Sequence, residues 1–426
     1  MLDLKKKNSL KIKAFIIIFF LFTLLLGFYF SENSSGGAYI DYTFLNSIVT
    51  KFSKNIHDAF YLFLENNSLI IHSPIFYIIL GTVLKITGSY EATRILYIIF
   101  CGILPLIFYK ILKKKYSILN NNFYLFIFAN ILFLSPYFRS SAIWALGDNL
   151  SLIFFTSFIF FLNQFSDHKK IKDLYLAALF IIFASYIRYY YAIYFILIFY
   201  YLIKDKKIFE PKSLLFFLIF CLFLGLPALI YFYFIIQNYN FLNTLFAFGN
   251  FNIFKSTYEI ITIVLFFNIP LLLLSFKNFI KYYLEHYKIT ILIFLISILI
   301  YLINFYIFGS IDNSILGGGV FKKIIINILN LKSYYLFPFF LISVLFLDFI
   351  FKSDRVYNYL ILILMILSLP FSIIFQKYLD PLFLIILFGL ISSTYIKDLI
   401  LNIKFPLKTL YLYFSFYLFF AIIYYN

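Results

Sequence analysis

The stretch SENSSGGAYIDYTF at Ser31–Phe44, continued by HSPIFYIILG at His72–Gly81 and closed by GSYEATR at Gly88–Arg94, decides how the whole chain is read. It lies between the first hydrophobic run and the next clear one. With Asp41, His57, Asp58 and Glu65 it is too polar for hydrocarbon, and it is far longer than an ordinary connection of a few residues. An elaborated loop holding an isolated carboxylate, on an otherwise oily chain, is where function is sought.

Outward from that stretch the chain is apolar. Of its 426 residues 64% are hydrophobic and only 12% charged, and mean hydropathy is +0.97. A soluble domain carries about a quarter charged residues. Repeated apolar runs of spanning length predict an all-α polytopic membrane protein. The net charge of +17 sits in short Lys and Arg clusters between the runs, which is a topology signal rather than a nucleic-acid footprint. Cys101 and Cys221 fall inside apolar runs and read as small buried hydrophobes.

Charge bias sets the orientation. Lys5, Lys6, Lys7, Lys11 and Lys13 precede a first span near 14–30 with no small-residue cleavage site, which reads as an anchor with a cytoplasmic N-terminus. The 31–91 stretch is then outside. The segment 71–88, with Pro74, Gly81 and Lys85, is expected to lie at the interface or dip into it, because a full crossing would invert every later lysine cluster. Further spans are expected near 93–111, 121–137, 149–163, 174–187, 189–203, 213–236, 258–275, 289–308, 334–351, 356–372, 380–396 and 409–425. This gives about thirteen in a single transmembrane domain over 1–426. The pair flanking Arg188 is short for a ~30 Å core. The outer loop 309–333 holds Gly317, Gly318 and Gly319 before VFKKIIINILNL, which suits an interfacial helix.

In this arrangement Asp41, His72, Arg94, Arg139, Asp148, Arg188, Asp312, Gln376, Lys377 and Asp380 gather at outer ends, which points to a hydrated outward cavity. Asp148 also sits where an N-cap is wanted, and His72 before Pro74 marks a helix start. Arg139 is placed to anchor an interface beside Trp144. Arg188, between two short apolar runs, needs a partner or an anionic ligand. Asn33, Asn66 and Asn149 stand in Asn-x-Ser sequons.

The pattern resembles the GT-C superfamily of membrane glycosyltransferases, in particular its protein mannosyltransferase-like and aminoarabinose transferase-like members. HSPIFYIILG resembles their His-Pro-Pro-leucine-tyrosine element, GSYEATRILYIIF their entry to the next helix, FRSSAIWALGDNLSLIFF their arginine-to-aspartate loop, and FQKYLDPLFLIIL their basic-Tyr-x-x-Pro element. Asp41 is followed by Tyr42 rather than by a second acid, which argues against a two-carboxylate metal site. The resemblance implies an inverting transfer from a polyprenyl-phosphate or diphosphate sugar to a lipid, glycan or protein acceptor in the cell envelope. The site would lie on the outer side of a plasma (inner) membrane. It implies Asp41 as general base, with Tyr42, His72, Arg139, Asp148, Arg188, Lys377 and Asp380 binding donor or acceptor, and Phe76 and Tyr77 lining the sugar or lipid. Such chemistry asks for a base, cations for the departing phosphate and a surface for the sugar. No metal, cofactor or nucleic acid is expected, since no His, Cys and Asp cluster has ligand spacing. The alternatives are a transporter or flippase of a lipid-linked or small anionic substrate, and a protein whose outer loops only bind a partner. The inner half of the spans reads as almost free of acids, against the transporter.

Overall fold

Helix boundaries follow local chemistry. Gly88 takes the left-handed conformation (φ 67°) that stops one helix, and the Ser89 hydroxyl then caps the next by accepting from the Ala92 N–H. Ser135 caps in the same way with Pro136 in the first turn, and Asn252 accepts from the N–H groups of Phe254 and Lys255. The computed structural model describes residues 2–65, 73–116, 122–204, 211–238, 252–307, 317–371 and 373–425. Among these the regular elements are helical and there is no strand.

The chain divides into two compact units, Met1–Thr244 with Phe414–Asn426, and Leu245–Tyr413. The first contains α1 (Leu2–Tyr29), α2 (Ala38–Lys54), α3 (Ile56–Glu65), α4 (Ile75–Thr87), α5 (Tyr90–Cys101), α6 (Ile103–Lys115), α7 (Asn122–Ala129), α8 (Pro136–Ile143), α9 (Gly147–His168), α10 (Ile171–Ile187), α11 (Ile196–Lys204) and α12 (Pro211–Asn238). The second contains α13 (Ile253–Glu285), α14 (Tyr287–Leu302), α15 (Gly319–Lys323), α16 (Phe337–Phe351), α17 (Arg355–Leu367), α18 (Leu382–Gly389) and α19 (Thr394–Leu401). The last helix, α20 (Lys404–Tyr425), begins in the second unit, and its turns from Phe414 group with the first.

Among the described residues seven helices are long and apolar enough to cross a membrane: Leu10–Tyr29, Tyr90–Lys115, Gly147–His168, Pro211–Tyr231, Ile253–Glu285, Tyr287–Tyr306 and Lys404–Tyr425. The number rises to nine if each of two bent pairs is one span. Asn122–Leu134 with Pro136–Ile143 bends by 68°, and Gln376–Gly389 with Thr394–Leu401 by 92°. Four further runs expected to cross, near 189–203, 334–351, 356–372 and 174–187, form shorter helical segments.

The 71–88 segment, where described, is a helix of 13 residues. At 1.5 Å per residue it reaches about 20 Å, short of a bilayer core. It packs on α2 through Gly81, where a Cβ would lie 2.7 Å from Phe52 Cβ. In the second unit Pro270 lies inside α13, and its missing N–H releases the Phe266 carbonyl. The Tyr413 hydroxyl donates to that carbonyl at 2.7 Å, so the break carries no orphaned acceptor.

Candidate functional site

Asp41 occupies the first turn of α2, where a carboxylate complements the helix dipole, and it is exposed. Its neighbour Tyr42 turns inward. The Tyr42 ring lies 4.9 Å from the Arg94 guanidinium, which also sits 4.5 Å from the Phe28 ring and 4.2 Å from Trp144. Arg94 Nε donates to the Ile143 carbonyl at 2.8 Å. Burial pushes the Tyr42 phenol above its ordinary range, with Arg94 pulling it back. The first-loop helix α2 is thereby seated on a small core of Ala38, Ile143, Trp144 and Leu146.

Behind it lies a paired charge centre. Arg188 grips Asp148 with both prongs, Nε to Oδ1 and Nη2 to Oδ2, each at 2.7 Å, and their side chains are 14% and 12% exposed. This is the fork geometry that suits a guanidinium and a carboxylate. Asp148 is therefore not the cap that its position suggests. The N-cap of α9 is Leu146, and Asp148, in the first turn, uses its oxygens on Arg188. Tyr137 also reaches Asp148, and Tyr77 stands within electrostatic range of Arg188, Asp148 and Asp41 together. Burial holds the Tyr77 phenol proton, its pKa pushed up to about 12, Arg188 lowering it while Asp148 and Asp41 raise it.

The HSP stretch comes to the same place. His72 lies outside the described residues, but the next residue, Ser73, donates its hydroxyl to the carbonyl of Tyr186, two residues before Arg188. Phe76 and Tyr77, expected to line the sugar or lipid, are 4% and 2% exposed, with Phe76 lying against Gly147. Small Gly147 is what admits it, since a Cβ there would sit 3.3 Å from the ring.

Arg139 lies elsewhere. Its guanidinium is 7% exposed and engaged on all three nitrogens: Nε to Glu32 Oε1 at 2.8 Å, Nη2 to Glu32 Oε2 and the Thr23 carbonyl, and Nη1 to the Thr23 hydroxyl at 3.1 Å. Four of the five guanidinium N–H donors are thereby committed inside the protein. Sequence reading missed Glu32, although a lone acid directly after the first apolar run is the signal that could have found it.

In the second unit Lys377 is half-buried, with its ammonium over the rings of Phe375 and Tyr378 at 5.7 and 5.8 Å. Asp380 is buried at 1%. Gly317, Gly318 and Gly319, at the start of α15, all take positive φ (75°, 70° and 76°) and bring the chain against 373–376, Gly318 N–H donating to the Ile374 carbonyl at 2.7 Å and Val320 N–H to Gln376 Oε1 at 2.9 Å. Of the two lysines expected to mark an interfacial helix, one is turned into the protein. Lys322 is 3% exposed and pairs with Glu259 of α13 at 3.3 Å. Asp312, expected on the same outer loop, lies outside the described residues. Asp348 of α16 is a further buried acid that the sequence reading passed over, bound by Arg355, Tyr283 and Tyr359. Among the described residues no three His, Cys, Asp or Glu side chains gather to hold a metal ion.

Comparison adds no relative. No protein family matches the chain, and neither a curated protein nor a solved structure is similar to it.

Proposed function

We propose that this chain is an integral membrane glycosyltransferase of the GT-C type, transferring a sugar from a polyprenyl-phosphate or diphosphate donor to an acceptor at the outer face of the membrane, with Asp41 as general base. In this reading the shorter helices complete the thirteen-span arrangement, and the first outer loop holds α2, α3 and α4. One observation carries it: Asp41 is an exposed carboxylate within electrostatic range of Tyr77, as is the Asp148–Arg188 pair, whose charges already balance each other. A solvent-exposed carboxylate can accept the acceptor's hydroxyl proton while the oxocarbenium-like transition state develops. A donor phosphate reaching Arg188 has to share it with Asp148.

The test offers radiolabelled polyprenyl-phosphate sugars to membranes carrying the wild-type chain or Asp41→Asn. Transfer by the wild type and its loss by about 100-fold or more in the variant, at equal protein level, is the expected result, in line with removal of a general base. Undiminished transfer by Asp41→Asn removes Asp41 from the mechanism.

A second reading has its own support. Glu259 pairs with Lys322 near one end of α13, and Tyr283, 24 residues later, binds Asp348, about 36 Å away at 1.5 Å per residue. Buried acids at both ends of a crossing helix fit a transporter or flippase with a gate at each face. Thiol labelling that alternates between the two sides during turnover supports that reading, and labelling from the outer side alone supports the enzyme.

A further inference from the structure

The helix that carries Asp41 begins without a side-chain cap: its N-cap is Gly37. What sets its direction is the loop before it: Asn33 Oδ1 accepts from the Tyr39 N–H at 3.4 Å, and Glu32, Ser34 and the Ser35 N–H fasten the loop to its surroundings. Glu32 takes both prongs of Arg139, its carbonyl accepts from Trp144 Nε1 at 2.8 Å, and Gly27 sits so close that a Cβ there would lie 2.6 Å from Glu32 Oε2. The Ser34 hydroxyl lies 2.9 Å from Glu32 Oε1 and from the Pro136 carbonyl, and 3.1 Å from the Ser140 hydroxyl, which also accepts from Ser35 N–H at 2.9 Å. Gly36, at φ 78°, lies against the Tyr425 ring.

We propose that Glu32 and Arg139 are a positioning pair: they fasten the loop Ser31–Gly37 to α8 and thereby set where α2 presents Asp41. This rests on the reading of Asp41 as the base, and it moves Arg139 from the donor phosphate, where the resemblance put it, to a residue acting through the loop. The physical reason is confinement. A bidentate ion pair at 7% exposure on each side holds only one arrangement, and removing either partner leaves the other charged, buried and alone. Glu32→Gln is close to isosteric, keeps the backbone carbonyl for Trp144 and removes only the charge. Trp144→Phe removes one donor and leaves the ion pair intact.

The experiment uses the full chain with Cys101 and Cys221 replaced by alanine and a reporter thiol introduced by Ile40→Cys, a site 67% exposed beside Asp41. In this background Glu32→Gln, Arg139→Gln, their combination and Trp144→Phe are compared. The expected result is a changed labelling rate of the reporter in all four, smallest for Trp144→Phe. Turnover is expected to fall about 100-fold in the ion-pair variants, the order expected of a misplaced catalytic group, with the donor KM held. The combined variant is expected to be no slower than the slower single one, as for two residues acting as a unit. Unchanged labelling in every variant overturns the inference. A raised donor KM with turnover kept in Arg139→Gln, absent in Glu32→Gln, also overturns it and returns Arg139 to the phosphate. A parent chain that transfers no sugar defeats the glycosyltransferase reading, while the labelling arm still decides whether the pair positions α2.

Discussion

A carboxylate and a guanidinium held at 12% and 14% exposure serve as each other's solvent, as Asp148 and Arg188 do. Asp148→Asn is expected to lower stability by about 3 kcal/mol, because it strands the Arg188 charge in a setting water barely reaches. Replacing both, as Asp148→Asn with Arg188→Met, is expected to recover most of that loss, since no charge is then left buried. Thermal unfolding in detergent of the two variants checks this; a double variant less stable than the single one contradicts it. Sequence reading found both residues but joined neither to the other. Forty positions separate them, and local rules see only that Asp148 stands at a helix start. Arg188 was legible because an arginine inside an apolar run demands a partner, whatever that partner is. The same rule applied to acids finds Glu259 in the run YEIITIV and Asp348 in LFLDFIF, each a carboxylate between apolar neighbours whose ion pair in fact lies across helices.

At the scale of elements, punctuation residues were the readable part. Gly88 and Ser89 end one helix and cap the next, and Pro74 stands at the start of α4 as N-cap. What sequence could not give was which faces meet. Gly81 looks like a flaw in a spanning helix, yet it is a contact point with α2. Gly81→Ala is therefore expected to destabilise by about 1–3 kcal/mol through overpacking against Phe52. Gly88→Ala meets open space and carries only the left-handed penalty of about 1 kcal/mol. Unfolding midpoints of the pair, measured side by side, read the difference. Equal losses would mean that α4 gives way at Gly81.

For the whole molecule, composition alone sufficed to identify a helical chain with several apolar helices of crossing length. It did not suffice to count them, because hydropathy cannot see a bend. The runs near 121–137 and 380–396 look continuous in sequence and are broken by 68° and 92°. The lysine clusters carry the orientation signal independently of the count. Single cysteines placed at Lys114, Lys170, Lys206, Lys281, Lys352 and Lys397 are expected to react with a membrane-impermeant thiol reagent only after the membrane is opened, and one placed at Ile40 before it. A cluster that labels from outside requires a different count of crossings.

Asn149 gives the fold a clock. Its sequon is complete, but the side chain is 1% exposed and donates to the Phe138 carbonyl at 2.9 Å, sealed within the bend that joins α8 to α9. An oligosaccharide attached to that amide has no room in the finished structure. Produced in a host that glycosylates exported chains, the molecules bearing sugar at Asn149 are those that were modified before α9 closed over the site. The sugar at that position is a stamp of late or failed assembly, readable from the mass of the chain alone.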